Sequence, residues 1–250
     1  METTTRRSRA AVAAAILGAL AAVDAILGPL LAHYGAVRPL TGFALFAVAL
    51  LEALLGVVFA LLGFRSTSAR RGLAGRGLAW LGLALSVVVL AAGYQAAGGG
   101  RGLPRINDIT TSPDDPPAFV VAAHDPANAG RDLGYPREFA GIQRGAYPDL
   151  APIELDVPPG EALQRARRAA EALGWQVVEA RPPQTEGGDG FLEAREESRV
   201  FRFVDDVVVR VRPRDGGSVV DVRSKSRDGR GDMGANAARI RAFREALART

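Results

Sequence analysis

Apolar residues run almost unbroken through three stretches of the first hundred residues, about 10–32, 40–64 and 77–97. Each is long enough to cross a hydrocarbon layer of ~30 Å at ~1.5 Å per residue, and longer than an ordinary buried core helix. They predict three transmembrane helices. The first exceeds the apolar core of a cleaved signal peptide, and no small-x-small cleavage site follows it before soluble sequence, so it reads as a retained helix.

The pattern then changes. Residues 98–100 are three glycines that read as a flexible hinge, and 101–152 are rich in Pro, Asp, Gly and Ala without sustained periodicity. That segment, 98–152, is expected to be an irregular arm that either wraps the following domain or stays semi-ordered. Regular alternation returns at residue 153. Strands are predicted at 153–157, 175–181, 207–212 and 219–225, with weaker candidates at 191–196 and 200–203. A helix from Pro158 and Pro159 to about Leu173 carries Leu163, Ala166, Ala170 and Leu173 on one face, and Gly174 ends it in a left-handed position. A last helix, about 234–248, turns Ala237, Ile240, Phe243 and Leu247 inward. Asp215 and Gly216 form a hairpin signal between two alternating runs. The register it implies places Val211 opposite Val220, Val209 opposite Val222, and Arg210 opposite Asp221 as a cross-strand charge pair. The expected fold is a membrane α-helical region joined to an α+β domain at 153–250, an antiparallel sheet with two helices packed on one face.

Charge sharpens this division. Residues 1–100 carry three acidic residues (Glu2, Asp24, Glu52) against eight arginines, whereas residues 101–250 are close to neutral. The high isoelectric point, about 10.1, therefore reflects the apolar half and does not indicate a nucleic-acid partner. Arg6, Arg7 and Arg9 precede the first span, and Arg65, Arg70, Arg71 and Arg76 separate the second from the third. The other loop has only Arg38, beside His33. By the positive-inside rule the N-terminus is cytoplasmic and residues 98–250 are extracytoplasmic. Tyr34, Trp80 and Tyr94 fall near the span ends, where interfacial aromatics belong. The chain has no cysteine, which removes disulfides, thiolate metal sites and a cysteine nucleophile. No metal site and no cofactor are expected.

Four segments in order, 104–119 (PRINDITTSPDDPPAF), 147–152 (YPDLAP), 203–213 (FVDDVVVRVRP) and above all 220–243 (VDVRSKSRDGRGDMGANAARIRAF), resemble the domain-of-unknown-function family 1499. The resemblance covers about residues 104–248. It implies a bacterial envelope or plastid-type protein, and it supplies no activity, cofactor or catalytic residue.

The densest polar stretch is 223–230 (RSKSRDGR), which runs on through Gly231, Asp232, Gly234 and Asn236. Glycines before a helix start can aim backbone N–H groups at an anion, and Arg223, Arg227 and Arg230 offer bidentate contacts to phosphate or carboxylate. Arg223, Arg227, Arg230, Gly231 and Asn236 are thus the anion-binding candidates. The competing and favoured reading is a turn with Asp232 capping the last helix. Asp205, Asp206 and Asp221 are acidic neighbours, but adjacent strand residues point to opposite faces. A turn at Asp205 and Asp206, with Asp221 paired to Arg210, is the simpler account. His124, in an His-Asp-Pro turn, and Asp114 with Asp115, among prolines, read as solvated turns rather than as a triad member or a calcium site. Inside the spans, Asp24 and Glu52 are the intramembrane polar candidates. They are expected at similar depth in antiparallel helices, hydrogen-bonded within the bundle or across an oligomer.

No catalytic set is evident, which favours binding over catalysis. The expected function is a membrane-anchored, extracytoplasmic (periplasmic) binding or scaffold module of the bacterial inner membrane. Its partners would be membrane lipids, an envelope protein or an anionic small molecule, with an oligomer open. The alternatives are an envelope enzyme acting on an anionic substrate and an ion- or proton-coupled component using Asp24 and Glu52.

Overall fold

The protein is described by a computed structural model that covers residues 6–71, 73–97, 102–185 and 188–250. The proposed glycine hinge at 98–100 lies outside the described residues. Two compact units make up the chain, a helical one of Met1–Gly99 with Arg199–Arg202 and an α+β one of Gly100–Ser198 with Phe203–Thr250.

The helical unit contains α1 (Arg9–His33), α2 (Pro39–Ser66) and α3 (Arg76–Ala97). All three are long and apolar enough to cross a membrane. Ser8 caps α1 by accepting a hydrogen bond from the Ala11 N–H, and Pro39 starts α2, where its missing N–H costs nothing. Leu, Ile and Val side chains such as Ile26, Leu51, Leu61 and Val88 point outward. The buried positions are small instead: Ala14, Gly18 and Ala21 on α1, Ala53, Gly56 and Ala60 on α2, Ala79, Gly82 and Ser86 on α3. Spacings of three and four put these residues in one stripe per helix, so the backbones approach closely. A Cβ placed on Gly18 would stand 2.7 Å from the Gly82 carbonyl oxygen, and one on Gly28 2.5 Å from that of Gly42.

The α+β unit runs β1 (Asp108–Thr110), α4 (Arg137–Ala146), β2 (Ile153–Leu155), α5 (Pro159–Ala172), β3 (Gln176–Arg181), β4 (Gly190–Glu197), β5 (Val204–Arg214), β6 (Gly217–Ser226) and α6 (Ala235–Leu247). The sheet is antiparallel in the order β1-β6-β5-β4-β3, and β2 takes the remaining length of the β6 edge beside β1. The hairpin register is the expected one: Val211 faces Val220, Val209 faces Val222 and Arg210 faces Asp221, closed by Asp215 and Gly216. Gly216 at φ 77° and Gly174 at φ 78° occupy the left-handed region that a side chain resists.

Strand alternation gives the sheet two unlike faces. Val207, Val209, Val211, Val220, Val222, Leu192 and Ala194 pack against Leu163, Ala166 and Ala170 of α5 and Ile240, Phe243 and Leu247 of α6. Trp175 stacks on Phe243 with ring centroids 5.2 Å apart. These are the inward faces expected for both helices. Two expectations fail. Residues 200–203 form a turn, with Arg202 at φ 61°, because they lie at the tip between β4 and β5 where no strand pairs with them. The segment 98–152 is not an irregular arm throughout. Its described part holds β1, two 3-10 turns and α4, and it sends Ile106, Ile109, Tyr147 and Leu150 into the main core. A three-residue strand defined by its pairing with β6, and a ten-residue helix containing two glycines, are too short to show a period.

The small-residue stripes predict the effect of enlarging one. Gly18→Val should lower the stability of the detergent-solubilised bundle by about 1–3 kcal/mol, while Leu51→Ala on the outward surface should leave it within about 0.5 kcal/mol. Unfolding by a denaturing detergent, followed by helical circular dichroism, measures both.

Candidate functional site

The second face of the sheet is charged. Along β4, β5 and β6 it carries Glu193, Arg195, Asp206, Arg210, Asp221, Arg223, Lys225 and Arg227. Residues 111–136 cross it as a strap, and nearly every charge answers either another sheet residue or the strap. Arg223 is 2% exposed. Its Nε and Nη2 donate to the two carboxylate oxygens of Asp108 at 2.9 and 2.7 Å. Its remaining N–H groups reach the carbonyls of Pro117 (3.0 Å) and Leu133 (2.7 Å). Phe119 and Tyr135 flank the guanidinium, their ring centroids 4.8 and 5.6 Å away. Glu193 accepts from the backbone N–H groups of Val120, Val121 and Ala122, the opening of a 3-10 turn. Phe119 and Ala122 then seal against Val208.

At the edge of this face Arg227 donates to both oxygens of Asp206, at 2.8 and 2.6 Å, and to Asp125 of the strap at 2.7 Å. Arg195 reaches Asp125 at 2.7 Å, and Asn128 donates to Asp206 at 2.9 Å. Asp125 is held below the usual carboxylate range, first by the Ala127 N–H and then by Arg227 and Arg195, against the upward pull of burial. Asp115 is lowered by its hydrogen bond with Arg210.

A cleft of about 260 Å³ opens beside these pairs, lined by Asn107, Arg131, Asp132, Leu133, Asp206, Lys225, Ser226 and Arg227. Lys225 donates to Asp108 at 2.9 Å, so one buried carboxylate serves both Arg223 and Lys225. Lys225 stands at the cleft wall with Arg131 and Arg227, opposed there by Asp132 and Asp206. Arg131, at the mouth, pairs with Asp228 at 3.0 Å.

The five anion-binding candidates do not converge. Arg223 is sealed under the strap, and Arg227 lines the cleft but is engaged by two aspartates. Arg230 is exposed. Gly231 lies against the Arg105 backbone, where a Cβ would be 3.2 Å from Arg105 Cα. Asn236 belongs to the opposite face, where its amide donates to the Asn107 carbonyl (3.1 Å) and Ser226 Oγ (3.0 Å) and accepts from Ser224 Oγ (2.7 Å). The cause is β6 itself: 223, 225 and 227 alternate with 224 and 226. Asp232 does organise the helix start, accepting from the N–H groups of Gly234 (2.8 Å) and Asn236 (2.9 Å), although Gly234 occupies the capping position. Lys225 sat inside the stretch that drew attention. Asn107, Arg131 and Asp132 reach the cleft only because the preceding segment folds back, which no local signal announces.

Asp205 and Asp206 stand in β5 rather than in a turn, one on each face. Asp205 meets Arg239 at 2.6 Å. Burial pushes that carboxyl up to about 6 and Arg239 down to about 10. Asp221 pairs with Arg210 at 2.9 Å as expected, and also with Arg212 at 2.8 Å. His124 is exposed, its Nδ1 2.8 Å from the Val120 carbonyl on its own turn. Asp114 and Asp115 are taken by Arg144 and Arg210. In the helical unit Asp24 and Glu52 are half-buried and close enough for their charges to act on each other. Antiparallel packing, with Gly28 against Gly42, sets them at comparable depth. Glu52 Oε2 is enclosed without the hydrogen-bond partner expected for it.

Three helices fit to cross a membrane, joined to an α+β domain whose charged sheet face is closed by its own strap, define a candidate membrane protein with a small polar cleft. Residues 108–247 match the protein family of unknown function DUF1499, and the chain belongs to that family. No curated protein and no solved structure matches it.

Removing Arg223 leaves Asp108 buried without its bidentate partner. Arg223→Ala should cost about 3–5 kcal/mol in urea unfolding, whereas Arg230→Ala should stay within about 0.5 kcal/mol. The strap should also respond to acid. Asp125 and Asp115 have folded pKa values below the ordinary ~3.9, so their contribution is complete above that value and is lost as pH falls through the folded one. Limited pepsin digestion over a descending pH series should cut within 111–136 before it cuts the sheet. Simultaneous cleavage of both would show that these ion pairs do not hold the strap.

Proposed function

We propose that the protein is a membrane-anchored binding module of the bacterial envelope. In this reading its three helices span the plasma membrane with the N-terminus inside, and its α+β domain presents the cleft beside Lys225 to small anionic molecules on the extracytoplasmic side. The arginine distribution supports the orientation. One observation carries the ligand class: Arg223 already pairs Asp108 bidentately, so Lys225, which shares that carboxylate, stands at a concave, polar surface where it can meet a further anion. Arg131, which also lines the cleft, adds a guanidinium suited to carboxylate or phosphate oxygens. Binding is favoured over catalysis by the lining itself. It includes no histidine, and its one hydroxyl, Ser226, accepts from the Asn236 amide at 3.0 Å.

Native mass spectrometry of protein extracted gently from its own membrane tests this. Wild type should retain a small anionic mass that Lys225→Gln loses, with unfolding midpoints unchanged because Arg223 still neutralises Asp108. Equally empty spectra from both proteins would remove the ligand reading.

A further inference from the structure

We infer that one end of the helical unit is a binding surface for the headgroups of anionic phospholipids; this rests on the reading that the three helices span a bilayer. The start of α1, the end of α2 and the start of α3 meet at this end. Ser8 N–H donates to the Ala74 carbonyl at 2.9 Å, Ala74 N–H donates back to Arg6 at 3.1 Å, and the Ser8 and Ser66 hydroxyls are 2.5 Å apart. The N-terminal segment is thereby fixed to the loop between α2 and α3 rather than trailing from it.

That fixed cap holds Arg6, Arg7 and Arg9 together with Arg65, Arg70, Arg71 and Arg76, all exposed. Among the described residues none of the seven forms an ion pair. The nearest acidic residues along the helices are Asp24 and Glu52. Asp24 lies fifteen residues from Arg9 and Glu52 thirteen from Arg65, so each is about 20 Å or more down its helix. Seven guanidiniums without a fixed counter-charge among the described residues draw mobile anions. The positive dipole ends of α1 and α3 meet there and outnumber the one negative end, that of α2.

The depth of the surface selects the anion. Arg76 lies over the Phe64 ring, 5.9 Å from its centroid, and Phe64 packs on Trp80 with centroids 4.6 Å apart. Trp80 is 57% exposed beside outward-facing Leu61, Leu62 and Leu81. An exposed tryptophan at the rim of an apolar surface, with an arginine stacked on its neighbour, is the arrangement of the membrane–water interface. The guanidiniums therefore stand at phosphate height, where each Lys or Arg near an anionic membrane strengthens binding roughly fivefold. The loop joining α1 to α2, at the opposite end, carries Arg38 alone and lacks this density.

The experiment reconstitutes the full chain into bilayers containing equal amounts of phosphatidylglycerol and phosphatidylcholine. Insertion is scored by flotation after alkaline carbonate, and retained lipids are identified by native mass spectrometry of protein released from the same bilayers. Wild type should retain phosphatidylglycerol in clear excess. The triple variant Arg70→Gln, Arg71→Gln, Arg76→Gln should lose that excess by at least roughly fivefold. The same positions changed to Lys should keep it, and Arg38→Gln should not alter it. An inserted wild type that retains the two lipids in the ratio supplied overturns the inference and leaves the membrane reading intact, as does a triple variant with undiminished preference. Failure of wild type to resist carbonate sinks the membrane reading itself.

Discussion

Arg223 stands in the middle of a sheet with almost no access to water, and the rest of the α+β unit is arranged around that fact. A buried guanidinium is tolerated only when every N–H is met and the charge is opposed. Asp108 supplies the charge from a three-residue strand, the carbonyls of Pro117 and Leu133 supply the remaining acceptors, and Phe119 and Tyr135 cover its faces. Four of these partners, Pro117, Phe119, Leu133 and Tyr135, have no regular secondary structure. The segment that looks least structured is thus the one whose position is most tightly specified, and Glu193, Asp206 and Arg210 repeat the device along its length.

The same saturation explains why so many charged residues yield so small a site. On the strap-covered face guanidiniums and carboxylates are matched almost one to one, and matched pairs have little left to offer a ligand. Matching is looser at Asp108, which serves two cations, and the cleft lies beside one of them, Lys225. Three of its lining residues, Lys225, Ser226 and Arg227, fall in the densest polar stretch, and the others are brought to it by folding.

The helical unit follows a different rule. Its helices bury Gly, Ala and Ser and turn Leu, Ile and Val outward, the reverse of the α+β core. Between apolar helices in a lipid-like medium there is no hydrophobic gain from burying leucine, so close backbone approach and dispersion determine which residues meet. Glycine and alanine are selected by distance rather than by hydrophobicity.

The sequence by itself determined what depends on local period and on short-range chemistry. The three spans, the inward faces of α5 and α6, the left-handed Gly174, and the hairpin register with Arg210 opposite Asp221 could all be read directly, because periods of 3.6 and 2 assign faces and turn residues set register. Within β6, Arg223 and Lys225 share one face. Only the tertiary structure decided what covers that face. Asp108 meets Arg223 across 115 positions and Asp125 meets Arg227 across 102, and no window along the chain contains both partners. Whether an arginine binds an external anion or an internal aspartate depends on which carboxylate folding brings within about 3 Å. At that separation a Coulomb interaction in a dry interior outweighs any preference legible from neighbouring residues.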